Sequence, residues 1–259
     1  MDVARAVQPL ACVLAPVLLA QGLTLRRRIP RLPEASDPAG TAAGAAPAIR
    51  LAVLGDSTAA GVGAQRHEDA LAGRLGAAVG ARTGRAVSWR AVARSGATSQ
   101  TARDLVPGLI DGDWRPDVVV LAIGVNDLKN LRRLRDWDRD VPALLAAIED
   151  TAGPVPVIVC GMAPVSRFPA LPQPMRAVMA MRARAMDRVL HNAAEGRRQH
   201  VPLDPAMIGP GFFAADGFHP SATGYRAWAD QLAGSVALAA SGGELDGAHS
   251  EDDGDRPVT

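Results

Sequence analysis

Val118-Val119-Val120-Leu121-Ala122-Ile123-Gly124 is an unbroken apolar run closed by a glycine. No polar residue interrupts it, so it reads as a strand buried on both faces rather than one with a wet side. Working outward, Ile49–Leu54 is a second, short apolar run, broken only by Arg50 and ending at Gly55, and Val155–Cys160 a third, ending at Gly161. Val87–Ala93 is a more polar strand and His200–Leu203 a weaker fifth. Helical stretches separate them: Ala70–Val79, Thr101–Leu109, Val141–Ile148, Met175–Ala194 and Pro220–Leu238. In the last of these, Tyr225, Ala229, Leu232 and Val236 recur at helical spacing, and Pro220 suits the first turn. Buried strands alternating with helices predict an α/β fold, a doubly wound parallel sheet covered on both faces.

Sheets of this kind present their ligand groups beyond the carboxyl ends of the strands. Ser57 follows the first strand, Gly96 the second, Asn126 the third, and Asp216 with His219 the fifth. All of them therefore fall on one edge of the sheet.

Composition narrows the class. The chain has 259 residues, enough for one sizeable α/β domain, and 48% are apolar with only 3% aromatic, so Ala, Val and Leu must fill the core. A net charge of +1 gives no global field for nucleic acid, and no basic stripe with interleaved aromatics appears. Cys12 and Cys160 stand far apart, and His67, His191, His200, His219 and His249 are scattered singly. No ligand spacing for a metal can be drawn from them, so neither a metal nor any other cofactor is expected.

The flanks differ from the centre. Residues 1–30 carry an apolar stretch, Val7–Leu25, interrupted by Pro9 and Pro16 and followed by Arg26, Arg27, Arg28 and Arg31. Two readings stand side by side: a membrane anchor, which would leave the main domain cytoplasmic, or an apolar helix packed on the domain or a membrane surface. Residues 31–48 are rich in Pro, Gly and Ala and read as a linker, while residues 241–259 read as a disordered acidic tail. The catalytic domain is expected over residues 49–240, with both flanks removable without loss of catalysis.

Gly55-Asp56-Ser57-Thr58 places a serine in the turn after a strand. Read alone, Ser57 is a helix cap; read as a nucleophile, it needs a base. Asp216-Gly217-Phe218-His219-Pro220 supplies an imidazole and a carboxylate in one short turn. Gly96, in Ser95-Gly96-Ala97-Thr98, can offer a backbone N–H to a developing oxyanion, and Asn126, in Gly124-Val125-Asn126-Asp127, a side-chain amide. Asp127 reads as ordering its loop. Gly61-Val62-Gly63 invites a dinucleotide-loop reading, but Arg66 occupies the place of the third glycine. Cys160 reads as a buried thiol, Asp136, Asp138 and Asp140 as a solvated loop, and Met175, Met179, Met181 and Met186 as helix core. Pro164–Pro174, with Phe168 and Leu171, either shapes an acyl pocket or simply connects two elements.

These four segments, in this order, resemble the SGNH hydrolases, the GDSL-like lipases and acylhydrolases. Gly55-Asp56-Ser57 is similar to their first block, Gly96 to the glycine of the second, Gly124-Val125-Asn126-Asp127 to the third, and Asp216-Gly217-Phe218-His219 to the last. Thr58 stands where leucine is commoner. The resemblance covers roughly Ile49–Ala239. It implies a three-layer, flavodoxin-like sheet of about five parallel strands and metal-free ester hydrolysis. It further implies a triad of Ser57, Asp216 and His219, with Ser57, Gly96 and Asn126 as oxyanion donors. The expected substrate is a small-molecule or lipid ester, with short acyl groups favoured because no large apolar lid is visible. A lysophospholipase, a thioesterase, or a carbohydrate O-deacetylase or acyltransferase would use the same residues. A catalytically silent binding module would have no need of the triad.

Overall fold

The computed structural model describes residues 16–25, 27 and 29–242. Helix α1 covers residues 16–25. Strand β1 (Ala39–Ala42) and strand β2 (Ala45–Gly55) follow, then helix α2 (Leu71–Thr83) and strand β3 (Arg85–Ala93). Strand β4 (Val118–Ala122) leads through the short helix α3 (Val125–Lys129) to helix α4 (Leu134–Ala152). Strand β5 (Val157–Cys160), helix α5 (Met175–Ala193), strand β6 (Arg198–Val201) and helix α6 (Ala222–Ala240) complete the order.

The sheet has six strands in the order β1-β3-β2-β4-β5-β6. β2 to β6 are parallel, and β1 alone runs antiparallel, against β3. This is the expected α/β sheet of five parallel strands with one added edge strand.

Strand geometry explains the layering. Successive side chains point to opposite faces. Ala52 and Leu54 of β2, with Val119 and Leu121 of β4, enter one core with α4 and α5. Leu51 and Val53, with Val118 and Val120, enter the other with α2 and α6. All eight are buried, which is why those strands read as continuous apolar runs.

Several expectations need correction. Residues 31–48 are not a linker, because β1 pairs with β3 along Ala39↔Arg90 to Ala42↔Val87 and Ala45 opens β2. A Cβ on Gly40 would come within 2.4 Å of the Trp89 ring, so the small residues that suggested a linker are what lets this strand lie flat on an indole. Helix α4 begins at Leu134, so Asp136, Asp138 and Asp140 are helical rather than a solvated loop. Asp140 is buried, its carboxylate taken by Arg132 and Arg139. Thr101–Leu109 is a 3-10 helix, and Pro220 precedes the Ser221 cap of α6 instead of lying in its first turn. Of the four methionines, Met186 is fully buried while Met181 is exposed.

α1 rests on the domain through Gln21, whose amide donates to Gln173 O (2.6 Å) and accepts from Met175 N–H (3.3 Å), and through Leu25, which packs against the α4–α5 core. Among the described residues, no helix is long and apolar enough to cross a membrane. Residues 1–15 of the apolar segment and 243–259 of the acidic tail lie outside the described residues.

Candidate active site

The parallel strands reverse direction of winding between β2 and β4, the position where such sheets open a crevice. Ser57 follows β2 and Asn126 follows β4. No helix follows Ser57 at once; residues 57–63 form successive turns. Gly63 is required there. It has φ +102°, and a Cβ would meet Pro220 O at 2.2 Å, so the turn carrying Ser57 and the segment carrying His219 touch backbone to backbone.

That contact sets up a chain of hydrogen bonds. His219 Nε2 lies 2.9 Å from Ser57 Oγ, and His219 Nδ1 lies 2.6 Å from Asp216 Oδ2. The carboxylate takes the Nδ1–H, which leaves Nε2 bare to accept from the serine hydroxyl. Asp216 Oδ1 accepts the N–H groups of Phe218 (2.9 Å) and His219 (3.0 Å), locking the turn. Burial alone would raise the Asp216 carboxyl. The His219 ring and these two N–H groups outweigh it and hold the group below the usual carboxylate range.

Three elements carry the candidate oxyanion donors. Among the described residues, the N–H groups of Ser57 and Gly96 donate to no acceptor. Gly96 has φ +84° and is exposed. Asn126 is buried at the start of α3, where its amide donates to Ala97 O (3.0 Å) and, more weakly, to Asp56 Oδ2 (3.4 Å). Asp127 ties the two loops together, its carboxylate accepting Ser99 N–H (2.9 Å) and Ser99 Oγ–H (2.8 Å). Burial pushes Asp127 upward against those bonds. The predicted residues Ser57, Asp216 and His219 thus meet directly, while Asn126 of α3 bonds Asp56, next to Ser57, and the carbonyl of Ala97, next to Gly96.

Sequence reasoning missed three contributors. Asp56 is fully buried, and burial pushes its carboxyl up to about 6 despite the Thr58 N–H bond (3.0 Å) that opposes the shift. Glu34, in the supposed linker, accepts Ser95 N–H at 2.7 Å and so braces the Gly96 loop. The third is the aromatic company of Phe168, itself expected from the Pro164–Pro174 run. All four phenylalanines of the chain, Phe168, Phe212, Phe213 and Phe218, gather beside Ser57. Their rings meet edge to face, Phe168 against Phe218 at 5.0 Å and against Phe213 at 5.2 Å. They wall a cavity of about 40 Å³ with Ile123, Cys160 and Leu203. Pro164–Pro174 therefore shapes the pocket through Phe168. The Cys160 thiol is pushed by burial up to about 12, which leaves it protonated and unreactive.

Other polar groups do not join the site. His200 pairs with Asp187 (3.1 Å), whose carboxylate also holds Met162 N–H (2.7 Å). Among the described residues, no three His, Cys, Asp or Glu side chains come together as a metal-holding group.

The sequence model of the GDSL-like lipase/acylhydrolase family matches residues 53–227. A GDSL-like esterase of Mycobacterium tuberculosis is 29% identical over 193 residues, which cover 71% of this chain and 60% of that protein. Among solved structures, the lipase Lip_vut3 from a goat rumen metagenome is similar with a TM-score of 0.56 and 20% identity, over 76% of this chain and 100% of that one. The lipase/acylhydrolase of Enterococcus faecalis is similar with a TM-score of 0.55 and 20% identity, over 73% and 95%. At these identities the two structures share the fold. Ser57, Gly96, Asn126, Asp216 and His219 all fall inside the matched residues, at one edge of that fold, and the chain belongs to the GDSL-like lipase/acylhydrolase family.

Proposed function

We propose that the protein hydrolyses carboxylic esters of short acyl groups through an acyl-serine intermediate. The observation that carries this reading is the unbroken chain from Ser57 Oγ through the His219 ring to Asp216 Oδ2. A serine hydroxyl becomes a nucleophile when an imidazole takes its proton, and the carboxylate behind that imidazole stabilises the cation that forms.

His219 Nε2 takes the Ser57 proton as Oγ attacks the ester carbonyl. The oxyanion settles against the N–H groups of Ser57 and Gly96 and the Asn126 amide, which gives up its long bond to Asp56. His219 then delivers the proton to the departing alcohol. Water repeats the sequence in reverse roles and frees the acid. Donors fixed in advance need no reorganisation as charge develops, which makes them the largest contribution in such reactions.

The acyl preference rests on the cavity. It is small, about 40 Å³, and walled by phenylalanine rings beside Ser57, which suits a short apolar acyl group. The esterase name of the mycobacterial relative points the same way on reaction type. The test is a panel of p-nitrophenyl esters of graded chain length, run on wild type and Ser57→Ala. Acetate or propionate should be the preferred substrate, and Ser57→Ala should abolish turnover while keeping the fold. Turnover by a folded Ser57→Ala protein within about tenfold of wild type would falsify the nucleophile assignment.

A further inference from the structure

Charge is not evenly spread over this nearly neutral chain of 28 basic and 27 acidic residues. Three segments, 16–31, 128–135 and 163–186, each carry four Lys or Arg and no Asp or Glu. The same segments hold most of the exposed large apolar side chains. Among the described residues, seven such side chains stand out, and six of them are Val17, Leu19, Leu23, Leu131, Leu134 and Met181.

The three segments adjoin one another. Gln21 of α1 bonds Gln173 and Met175 at the start of α5, and Arg182 of α5 donates to the Arg132 carbonyl. α1 turns Leu18, Gln21, Gly22 and Leu25 partly inward and leaves Val17, Leu19 and Leu23 outside, and Arg27 beyond it is exposed as well. On α5 the exposed positions Ala177, Met181, Arg184 and Arg188 form one stripe at helical spacing. Arg27, Arg31, Lys129, Arg133, Arg167 and Arg184 are exposed, and none pairs with a described carboxylate. Of the neighbouring carboxylates on α4, Asp136 and Asp140 are held by Arg139 and Arg132, and Asp138 is exposed with no ion pair among the described residues.

This face borders the catalytic turn. Ala170 N–H donates to Gly217 O (3.2 Å), and Lys129 Nζ lies 5.9 Å from the Phe218 ring. A groove of about 760 Å³ runs between α1, Ala170, Pro172, Ala215 and Asp216.

We propose that this face docks on an anionic lipid bilayer, with the catalytic edge held at the membrane surface. Leucines flanked by unpaired arginines and free of carboxylates suit the headgroup boundary, where apolar side chains enter the acyl region and cations meet lipid phosphates. An apolar protein partner would have no use for so one-sided a charge, and a nucleic acid none for the leucines.

The test is flotation of the full chain with vesicles of phosphatidylcholine alone and of phosphatidylcholine mixed with phosphatidylglycerol. The expected result is binding to the mixed vesicles, weakened by salt and much poorer on phosphatidylcholine alone. At about 1 kcal/mol per basic residue near an anionic surface, Arg133→Gln with Arg167→Gln should lower partitioning roughly thirtyfold. Leu19→Ser with Leu23→Ser should lower it on the order of tenfold or more. Arg226→Gln, an exposed arginine on α6 in the opposite layer, should leave it unchanged. Turnover of a soluble ester should not move in any of these variants. The proposal is overturned if the full chain ignores phosphatidylglycerol vesicles, or binds both vesicle types equally. It is also overturned if binding survives both double substitutions, which would assign it to residues 1–15. Salt-sensitive binding to duplex DNA with no vesicle binding would overturn it too.

Discussion

Asp56→Asn should make the protein more resistant to neutral pH than the wild type, and the gain can be worked from burial. In the folded protein Asp56 is fully buried and its carboxyl is held at about 6, against an ordinary 3.8 in an exposed chain. Below about pH 4 both states carry the proton, and the site costs nothing. Between about pH 4 and pH 6 the unfolded chain gives up its proton while the folded one keeps it, so stability falls as pH rises. Above about pH 6 the full penalty persists: roughly two pH units at about 1.4 kcal/mol each, or about 3 kcal/mol. Asparagine does not titrate, and its carbonyl can still accept Thr58 N–H. Any constant difference, such as the lost Asn126 contact, cancels when two pH values are compared. Part of the penalty is already present at pH 4, so urea unfolding of both proteins at about pH 4 and pH 7 should show the variant gaining about 2.5 kcal/mol relative to wild type. If the difference between them stays constant across that range to within about 0.5 kcal/mol, Asp56 is an ordinary carboxylate and the burial argument is wrong.

Asn126→Ala should lower kcat on the order of 10²–10³ with little change in KM, because the amide bonds the oxyanion chiefly in the transition state; a raised KM at unchanged kcat would make it a ground-state binding residue. Turnover should survive EDTA, and loss restored by one divalent ion would refute the metal-free route. Removal of residues 1–43 strips β1 from the Trp89 ring. Re-exposing part of that indole costs about 2–3 kcal/mol, and the melting temperature should fall by roughly 5–10 °C in a domain of this size. An unchanged melt would mean that β1 contributes nothing to stability.

What was legible in the sequence was what local pattern dictates. The runs Ile49–Leu54, Val118–Ile123 and Val155–Cys160 announce themselves because their strands are buried on both faces, and Ser57 and Asn126 lie just past the first two. Four loops at one sheet edge were enough to assemble the catalytic constellation on paper. What stayed hidden depends on distant partners. β1 has no apolar signature, since its Ala, Gly and Thr are chosen for thinness against Trp89. Asp140 reads as a surface charge until Arg132 and Arg139 close around it. The first two turns of α4 were masked by alternating Arg and Asp and by Pro142 inside the helix. Phe212 and Phe213 sit in a run with no periodicity, and only the folded loop brings them to Phe168. The high carboxyl of Asp56 follows from three-dimensional burial, which no spacing encodes.

Ser57 and His219 are joined by a hydrogen bond across 162 residues, and α6, directly after His219, packs on α2. Growth of the chain on a ribosome turns that separation into time. At about 5–20 residues per second, on the order of 10–30 seconds pass between the synthesis of Ser57 and that of His219. Over that interval the α2 face carrying Leu71, Leu75 and Val79 waits for the side chains of α6 that will cover it. A nascent chain of this protein is thus both inert toward esters and sticky toward its neighbours until its α6 segment emerges, so a chaperone that shields the α2 face would act in that window.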